Sequence, residues 1–443
     1  MQNPSVIRAY DIRGVYGETL FDKDFYHIAR RFVEVLREIY PLKTNFKIAV
    51  ARDIRASSPQ CHAMLVKGLV QAGAEVSDIG IAASPLLYFA VYNHNFDAGI
   101  VVTASHNPKQ YNGAKFIVKG YNFVTKDILG IAKPLLSNEI LSGSVASFAE
   151  PHQSYEQRLI TNTTNLINNA RIVWDCGGGA LCKTVKSFAS KIPGEHFFVS
   201  ADFDPEFKDR DLDPSNIKNL TKLLASMRQN NADIGFAFDG DGDRLVVVDE
   251  RGNVIEGDRL LGLLAHYMRA NERLHSNTLV TTVMSNIGLL RAMEQAGINV
   301  AVTTVGDRYV LDHMNQHGFT LGGEQSGHVI IRDRATTGDG LMAAIAVLEL
   351  MVDSGRPISQ LADEVMITVP QVLINVKTNV PAGEAVSRMQ DEIDAAVREL
   401  GTRGRVLVRA SGTEPLVRVM VECDSAQEAQ RVAEGLAARA TSL

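Results

Sequence analysis

Cysteine is scarce. The chain of 443 residues holds four, Cys61, Cys176, Cys182 and Cys423, scattered and never spaced as CxxC. That excludes a disulfide framework and a structural zinc site, and leaves buried free thiols in a reducing compartment. Long apolar runs are missing as well. The most apolar helical stretch, Met342 to Val352, is short and contains Glu349, so it cannot span a bilayer. No block is strongly basic, and the formal net charge is -6. A nucleic-acid footprint is therefore not expected, and an anionic ligand must be met by local arginines instead of the field of the whole molecule. Met1-Gln2-Asn3-Pro4-Ser5 has no basic-then-apolar signal pattern. The expectation is a cytoplasmic protein with neither a membrane nor a nucleic acid as partner.

What is present is the balance of a globular chain, 45% hydrophobic and 22% charged, long enough to bury several cores. Short apolar runs alternate with helical patterns. Lys47 to Ala51 predicts a strand, Ser58 to Gly73 a helix, and Ala98 to Val102 the next strand. The rhythm recurs twice. Arg171 to Asp175 predicts a strand ending in Gly177-Gly178-Gly179, and Ala232 to Phe238 a strand after a helix from Asn219. Thr278 to Val283 and Val300 to Thr304 predict strands on either side of a helix over Ile287 to Ala296. Three α/β units follow, divided near residues 150 and 255, with the Ser-rich polar segment Leu141 to Gln153 as a linker. From residue 368 the pattern changes to strands at Val369–Lys377, Arg405–Arg409 and Val417–Glu422, with helices over 383–400 and 425–440. Ser425 and Glu428 predict a capping box on the last helix, whose apolar face is Ala429, Val432, Ala433, Leu436 and Ala440. The domains expected are 1–150, 151–255, 256–367 and a smaller α+β domain, 368–443.

Four segments carry chemistry. Asp239-Gly240-Asp241-Gly242-Asp243-Arg244 puts three carboxylates at alternate positions after an apolar strand, with glycines that let the loop curl toward one point. Three such charges repel unless a cation sits among them, and hard oxygen ligands suit magnesium or calcium. Glu250 stands where a calcium EF-hand would have its twelfth ligand. However, the sixth position is Arg244 instead of glycine, and the flanks are strands. Thr103-Ala104-Ser105-His106-Asn107-Pro108 follows the strand at Gly99 to Val102, where ligand sites of α/β sheets lie. Ser105 is placed there as a nucleophile or phosphate carrier, or else as a turn residue. Arg409-Ala410-Ser411-Gly412-Thr413-Glu414-Pro415-Leu416-Val417-Arg418 offers hydroxyls, backbone N–H groups and two guanidinium forks to a phosphate. Gly322-Gly323-Glu324-Gln325-Ser326-Gly327-His328 offers the mixed donors and acceptors that sugar hydroxyls need.

In this order the four segments resemble the α-D-phosphohexomutase family over nearly the whole chain. The resemblance implies four domains around a central cleft, each giving one loop. It implies a phosphoserine at Ser105, and one magnesium ion held by Asp239, Asp241 and Asp243 together with the Ser105 phosphate. It further implies Arg13, Lys115, His328 and Arg244 as catalytic groups, with Lys115 and His328 ahead of His106 for proton transfer. Tyr10, His106, Arg308, Glu324 and Ser326 would bind substrate. Arg409, Ser411, Gly412, Thr413 and Arg418 would grip the phosphate that is not transferred. The reaction implied interconverts hexose 6-phosphate and hexose 1-phosphate through a hexose 1,6-bisphosphate, which turns end for end and so needs a movable grip, with a hinge near residue 368.

The branches of the family divide along the chain. Tyr10-Asp11-Ile12-Arg13-Gly14 resembles phosphomannomutase and phosphoglucomutase. Thr282-Val283-Met284-Ser285-Asn286, Val305-Gly306-Asp307-Arg308-Tyr309-Val310 and Gln325 resemble phosphoglucosamine mutase, and the lysine usual near Met284 in the mannose/glucose branch is absent. The N-terminal motif sets the expectation at mannose and glucose phosphates, with glucosamine phosphate as the alternative. A magnesium-dependent sugar phosphatase and a non-catalytic sugar-phosphate-binding protein are more remote readings.

Overall fold

The structure, a computed structural model, describes residues 3–163, 170–411 and 416–443. The chain forms two compact units, one of Met1–Val283 with Ala301–Ala362, the other of Met284–Val300 with Asp363–Leu443.

Three sheets share one plan. The first contains β1 (Asp11–Val15), β2 (Lys47–Arg52), β3 (Glu75–Ile81), β4 (Ala98–Val102), β5 (Tyr111–Val118) and β6 (Ser144–Ser147), in the order β1-β5-β4-β2-β3-β6. The second contains β7 (Arg171–Asp175), β8 (Glu195–Val199), β9 (Ile234–Phe238), β10 (Leu245–Asp249) and β11 (Val254–Ile255), in the order β11-β10-β9-β7-β8. The third contains β12 (Thr278–Thr282), β13 (Asn299–Thr303), β14 (Leu321–Gly323) and β15 (Val329–Ile331), in the order β13-β12-β14-β15. In each, one strand runs parallel to an earlier one and then turns into an antiparallel neighbour: β4 into β5, β9 into β10, β14 into β15. The turn at each of these three carboxyl ends carries a segment singled out for chemistry. Such turns open beyond the sheet, where the backbone is free to receive a ligand.

These strands are apolar because both faces are covered. Every residue of β4, β9 and β10 is buried. Phe32, Phe116 and Phe123 pack ring against ring beside β5, with centroids 5.4–5.8 Å apart, and Trp174 of β7 lies against Phe188, Phe236 and Phe238.

The C-terminal sheet is wholly antiparallel: β16 (Gln371–Lys377), β17 (Gly404–Ala410) and β18 (Leu416–Cys423), ordered β16-β18-β17. The final helix, Ala426–Thr441, buries Ala429, Val432, Ala433, Leu436 and Ala440 on one face, as its periodicity predicts. Fold class and element order thus follow the sequence reading.

Three details differ from it. The polar segment 141–153 is no linker: Ser144–Ser147 adds to β3 as a parallel edge strand, exposed at every position, and a helix begins at Glu150. Its serines read as loop because an edge strand has no apolar alternation to show. The helix predicted over 383–400 is two, Ala382–Arg388 and Gln390–Leu400, broken at Met389, whose side chain is fully buried. The capping box is half made. Ser425 accepts from the Glu428 N–H at 3.3 Å, but the Glu428 carboxylate turns to Arg403 at 2.5 Å. All four cysteines are buried free thiols. Among the described residues no helix is long and apolar enough to cross a membrane.

Candidate active site

Ser105 sits one turn past β4 with φ of +51°, a left-handed conformation that costs a serine of order 1 kcal/mol. The neighbours hold it there. Its N–H donates to Thr103 Oγ1 at 3.0 Å, and its carbonyl accepts from Arg55 Nη2 at 2.7 Å. The strained turn aims Oγ across to the second sheet, where it donates to Asp239 Oδ2 at 3.0 Å. His106 Nδ1 lies 3.2 Å from the same Oγ. Burial, with Arg244 and Arg13 near by, pushes the His106 imidazole down to about 2, so the ring is neutral.

The turn from β9 to β10 brings Asp239, Asp241 and Asp243 together, with one oxygen from each within 4.8 Å of the others. All three are buried. Gly242, at φ +77°, permits the curl, because a Cβ there would meet Leu181 at 2.6 Å. Lys115 of β5 donates to Asp241 Oδ2 at 2.7 Å and to Asp243 Oδ2 at 2.6 Å. Burial pushes the Asp239 carboxyl well up, and its two neighbours push it further. Burial acts the same way on Asp241 and Asp243, but Lys115, joined by Ser84 at Asp241 and by His328 and Arg244 at Asp243, holds both below the ordinary carboxylate value. Asp241 Oδ1 and Asp243 Oδ1 are buried without a hydrogen-bond donor among the described residues. An all-oxygen donor set with two orphaned oxygens fits a hard divalent cation.

One pocket in the first unit is lined by Tyr10, Arg13, Ser105, Lys115, Asp243, Arg244, Arg308, Glu324 and His328. Residues chosen from six separate stretches of sequence thus converge. Arg13 Nη1 donates to Asn107 Oδ1 of the serine loop at 2.7 Å, and its Nε to Asp11 at 2.8 Å. The third-sheet turn supplies Glu324, whose Oε1 accepts the Gly306 N–H at 2.9 Å. Burial, then Asp307, pushes the Glu324 carboxyl up. His328 stands 3.8 Å from both Asp243 Oδ1 and Asp307 Oδ2. Burial opposes its cation, yet Asp243, Asp307 and Glu324 raise its pKa above the ordinary value. Gly338 packs beneath the His328 ring, where a Cβ would lie 2.2 Å from Nε2. Ser326 Oγ is buried and has no partner among the described residues. Arg308 reaches the pocket while bonding to Asn122 Oδ1 and pairing with Asp312 at 3.6 Å.

In the second unit, Arg409 and Arg418 are direct cross-strand partners on β17 and β18. Like charges so placed repel. Burial, then Arg418, lowers the Arg409 guanidinium, and Arg409 Nε has no partner among the described residues. Ser411 closes the strand end, donating its N–H to Leu416 O at 2.8 Å. Gly412 and Thr413 lie outside the described residues.

Sequence reasoning missed several residues here. Arg55 and Asp53 follow β2 and brace the serine loop. Their position past a strand's carboxyl end is the signal that could have found them. Ser84 donates to Asp241 Oδ2 at 2.5 Å, and nothing local marks it. Asp307 lines the pocket and neighbours Arg308 in sequence, but only Arg308 was singled out.

A serine hydroxyl facing a carboxylate triad, with half-buried cations in the same polar pocket, suits phosphoryl transfer. Four family models match in chain order. They are phosphoglucomutase/phosphomannomutase alpha/beta/alpha domain I over residues 5–139, domain II over 153–252, domain III over 256–369, and the C-terminal domain over 373–439. The chain is 38% identical over 398 residues to a phosphoglucosamine mutase of Oceanobacillus iheyensis, covering 88% of each. It is 35% identical over 441 residues to that of Caldicellulosiruptor bescii, covering 96% of each. A phosphoglucomutase/phosphomannomutase family protein of Burkholderia thailandensis superposes with a TM-score of 0.86 at 29% identity, over 99% of this chain and 97% of that one. The chain therefore belongs to the phosphoglucomutase/phosphomannomutase family, over all four of the family's domains.

Proposed function

We propose that this phosphohexose mutase, an isomerase, interconverts glucosamine 6-phosphate and glucosamine 1-phosphate. The mannose or glucose reading set by the Tyr10–Gly14 motif gives way here. Relatives at 35–38% identity over most of the chain carry the phosphoglucosamine mutase name, and the motifs at 305–310 and Gln325 agree with them. A five-residue motif weighs less than identity spread over a whole chain.

The observation that carries the mechanism is Ser105 Oγ, held 3.0 Å from Asp239 in a braced left-handed turn that faces the acidic triad. Ser105 is the carrier. As a phosphoserine it gives its phosphoryl group to a sugar hydroxyl, Oγ takes up the proton that this hydroxyl loses, and the product is a hexose 1,6-bisphosphate. The reverse transfer from the other end regenerates the phosphoserine. Asp239, Asp241 and Asp243 would hold a magnesium ion, which would supply positive charge to offset that on the moving phosphoryl group. Arg13 and Lys115 line the same pocket and add positive charge. Arg244 lies beside Asp239 and Asp243. His328 and Lys115 are the groups placed to handle the hydroxyl proton, ahead of His106, whose ring faces Ser105 itself. Tyr10, Arg308, Glu324 and Ser326 orient the sugar. Arg409, Ser411 and Arg418, with Gly412 and Thr413, take the resting phosphate, a dianion that relieves the repulsion of two facing guanidiniums. The division into domains at 1–150, 151–255, 256–367 and 368–443, with a hinge near 368, belongs to the same reading, and the four matched family domains support it.

A coupled assay with glucosamine, glucose and mannose phosphates in parallel tests this reading. The highest kcat/KM is expected for glucosamine phosphate, with esterified phosphate conserved and a phosphate on Ser105 in the intact mass. Ser105→Ala retaining turnover would sink the carrier, and release of inorganic phosphate would mark a phosphatase.

A further inference from the structure

Two carboxylates, Asp307 and Glu324, line the pocket where a neutral hexose would need only hydroxyl partners. Asp307 begins the helix Asp307–His317, and its side chain is 34% exposed into the pocket. Tyr10 lines the pocket beside it. Burial opposes its charge, but His328 and Lys115 hold the carboxyl below its ordinary value, so it is ionised. Glu324 faces the same space, fixed by the Gly306 N–H at 2.9 Å. Gly306 has φ of +132°, and a Cβ there would press on the Tyr10 ring and hydroxyl at 3.1–3.2 Å, so the turn that brings Asp307 to Tyr10 requires glycine.

The nearby cations are committed elsewhere. Lys115 bonds Asp241 and Asp243, and Arg308 bonds Asn122 and Asp312. Among the described residues neither Asp307 nor Glu324 forms an ion pair with a lysine or arginine. The nearest basic group to Asp307 is His328 Nε2, at 3.8 Å. Two neighbouring carboxylates that disfavour each other's charge, with neither a lysine nor an arginine paired to them, suit a ligand that brings a cation. Glucosamine phosphates carry an ammonium at C2, where glucose and mannose phosphates carry a hydroxyl.

We propose that Asp307, seconded by Glu324, is the specificity-determining residue of this site, accepting the C2 ammonium of a 2-amino-hexose phosphate. The proposal rests on the glucosamine phosphate reading above. A charge-assisted bond from the ammonium is about twice as strong as one from a hydroxyl, and that difference is the selection. The alternative role for Asp307 is to position His328, and that role does not depend on the sugar.

The test is a comparison of glucosamine 6-phosphate with glucose 6-phosphate, by calorimetric affinity and by kcat/KM, in unmodified protein, D307N and D307E. D307N is expected to shrink the preference for glucosamine by about tenfold or more, while D307E restores part of it. An equal loss on both sugars makes Asp307 a positioning residue only and overturns the proposal. Unmodified protein with no preference for glucosamine phosphate overturns the substrate reading itself, so the two failures are told apart. Should D307N not fold, unmodified protein still decides. Raising pH through the titration of the substrate's own amine must erode the preference, whereas a ratio flat in pH overturns the proposal.

Discussion

Arg55 is fully buried, and its guanidinium holds the loop that carries Ser105. It donates to the carbonyls of Ser105, Asn107, Pro108 and Tyr111 at 2.7–3.1 Å, and its Nε to Asp53 Oδ2 at 2.9 Å. Asp53 in turn accepts from Thr103 and Ser58. Five donors in a planar fork do what a lysine's point charge cannot. Arg55→Lys is therefore expected to lose several of these bonds while keeping the charge beside Asp53. Turnover should fall by about tenfold or more with KM nearly unchanged, because the fault lies in the aim of Ser105 and not in sugar binding. Steady-state kinetics check this, and a change confined to KM would count against the brace. Ser105 was legible because its segment is distinctive. Arg55 was not, because a buried arginine bonded to backbone carbonyls leaves no pattern at the level of residue types.

At the scale of elements, the helix Gly340–Ser354 shows how the structure stores charge. Asp339 caps its N-terminus, accepting from the Met342 N–H at 3.0 Å and from the Tyr155 hydroxyl at 2.8 Å. Burial pushes its carboxyl up to about 6. The native state thus binds this proton up to a higher pH than the unfolded chain does. Its contribution to stability is present in acid and is lost as pH rises from the ordinary Asp range through about 6. Asp339→Asn keeps a cap and cannot ionise. Its melting temperature should gain on that of the unmodified protein as pH goes from about 4 to about 7, by on the order of 1–3 kcal/mol in stability. Calorimetry at several pH values decides, and parallel profiles would refute it. The helix itself was legible as an apolar stretch. The edge strand at 144–147 and the break at Met389 were not, because each depends on a neighbour's surface instead of its own periodicity.

At the scale of the whole molecule, one plan repeats in three sheets, and each repeat ends a strand at a turn that carries one of the segments singled out for chemistry. The buried triad could hold a metal ion. Removing a divalent cation with a chelator should stop turnover and lower the melting temperature, since three buried carboxylates would then face one another with Lys115, Arg244 and His328 alone to offset them among the described residues. Added magnesium should restore both. A melting temperature indifferent to chelation would argue that the triad holds no ion.

By itself the sequence determined the fold class and the alternation of elements, and it singled out the Ser105, Asp239–Asp243, Glu324–His328 and Arg409–Arg418 segments, because these are written in local spacing. Asp239, Asp241 and Asp243 stand at alternate positions, and no folding is needed to see that. Only the tertiary structure decided that Lys115 meets Asp241 and Asp243, that Ser105 faces Asp239 across 134 positions of chain, and that Asp307 shares a pocket with Glu324. Such contacts join residues far apart in sequence, and they exist only once burial has brought separate strands' ends together. For the sugar, the motif at residues 10–14 pointed one way, while relatives similar over most of the chain carry the phosphoglucosamine mutase name.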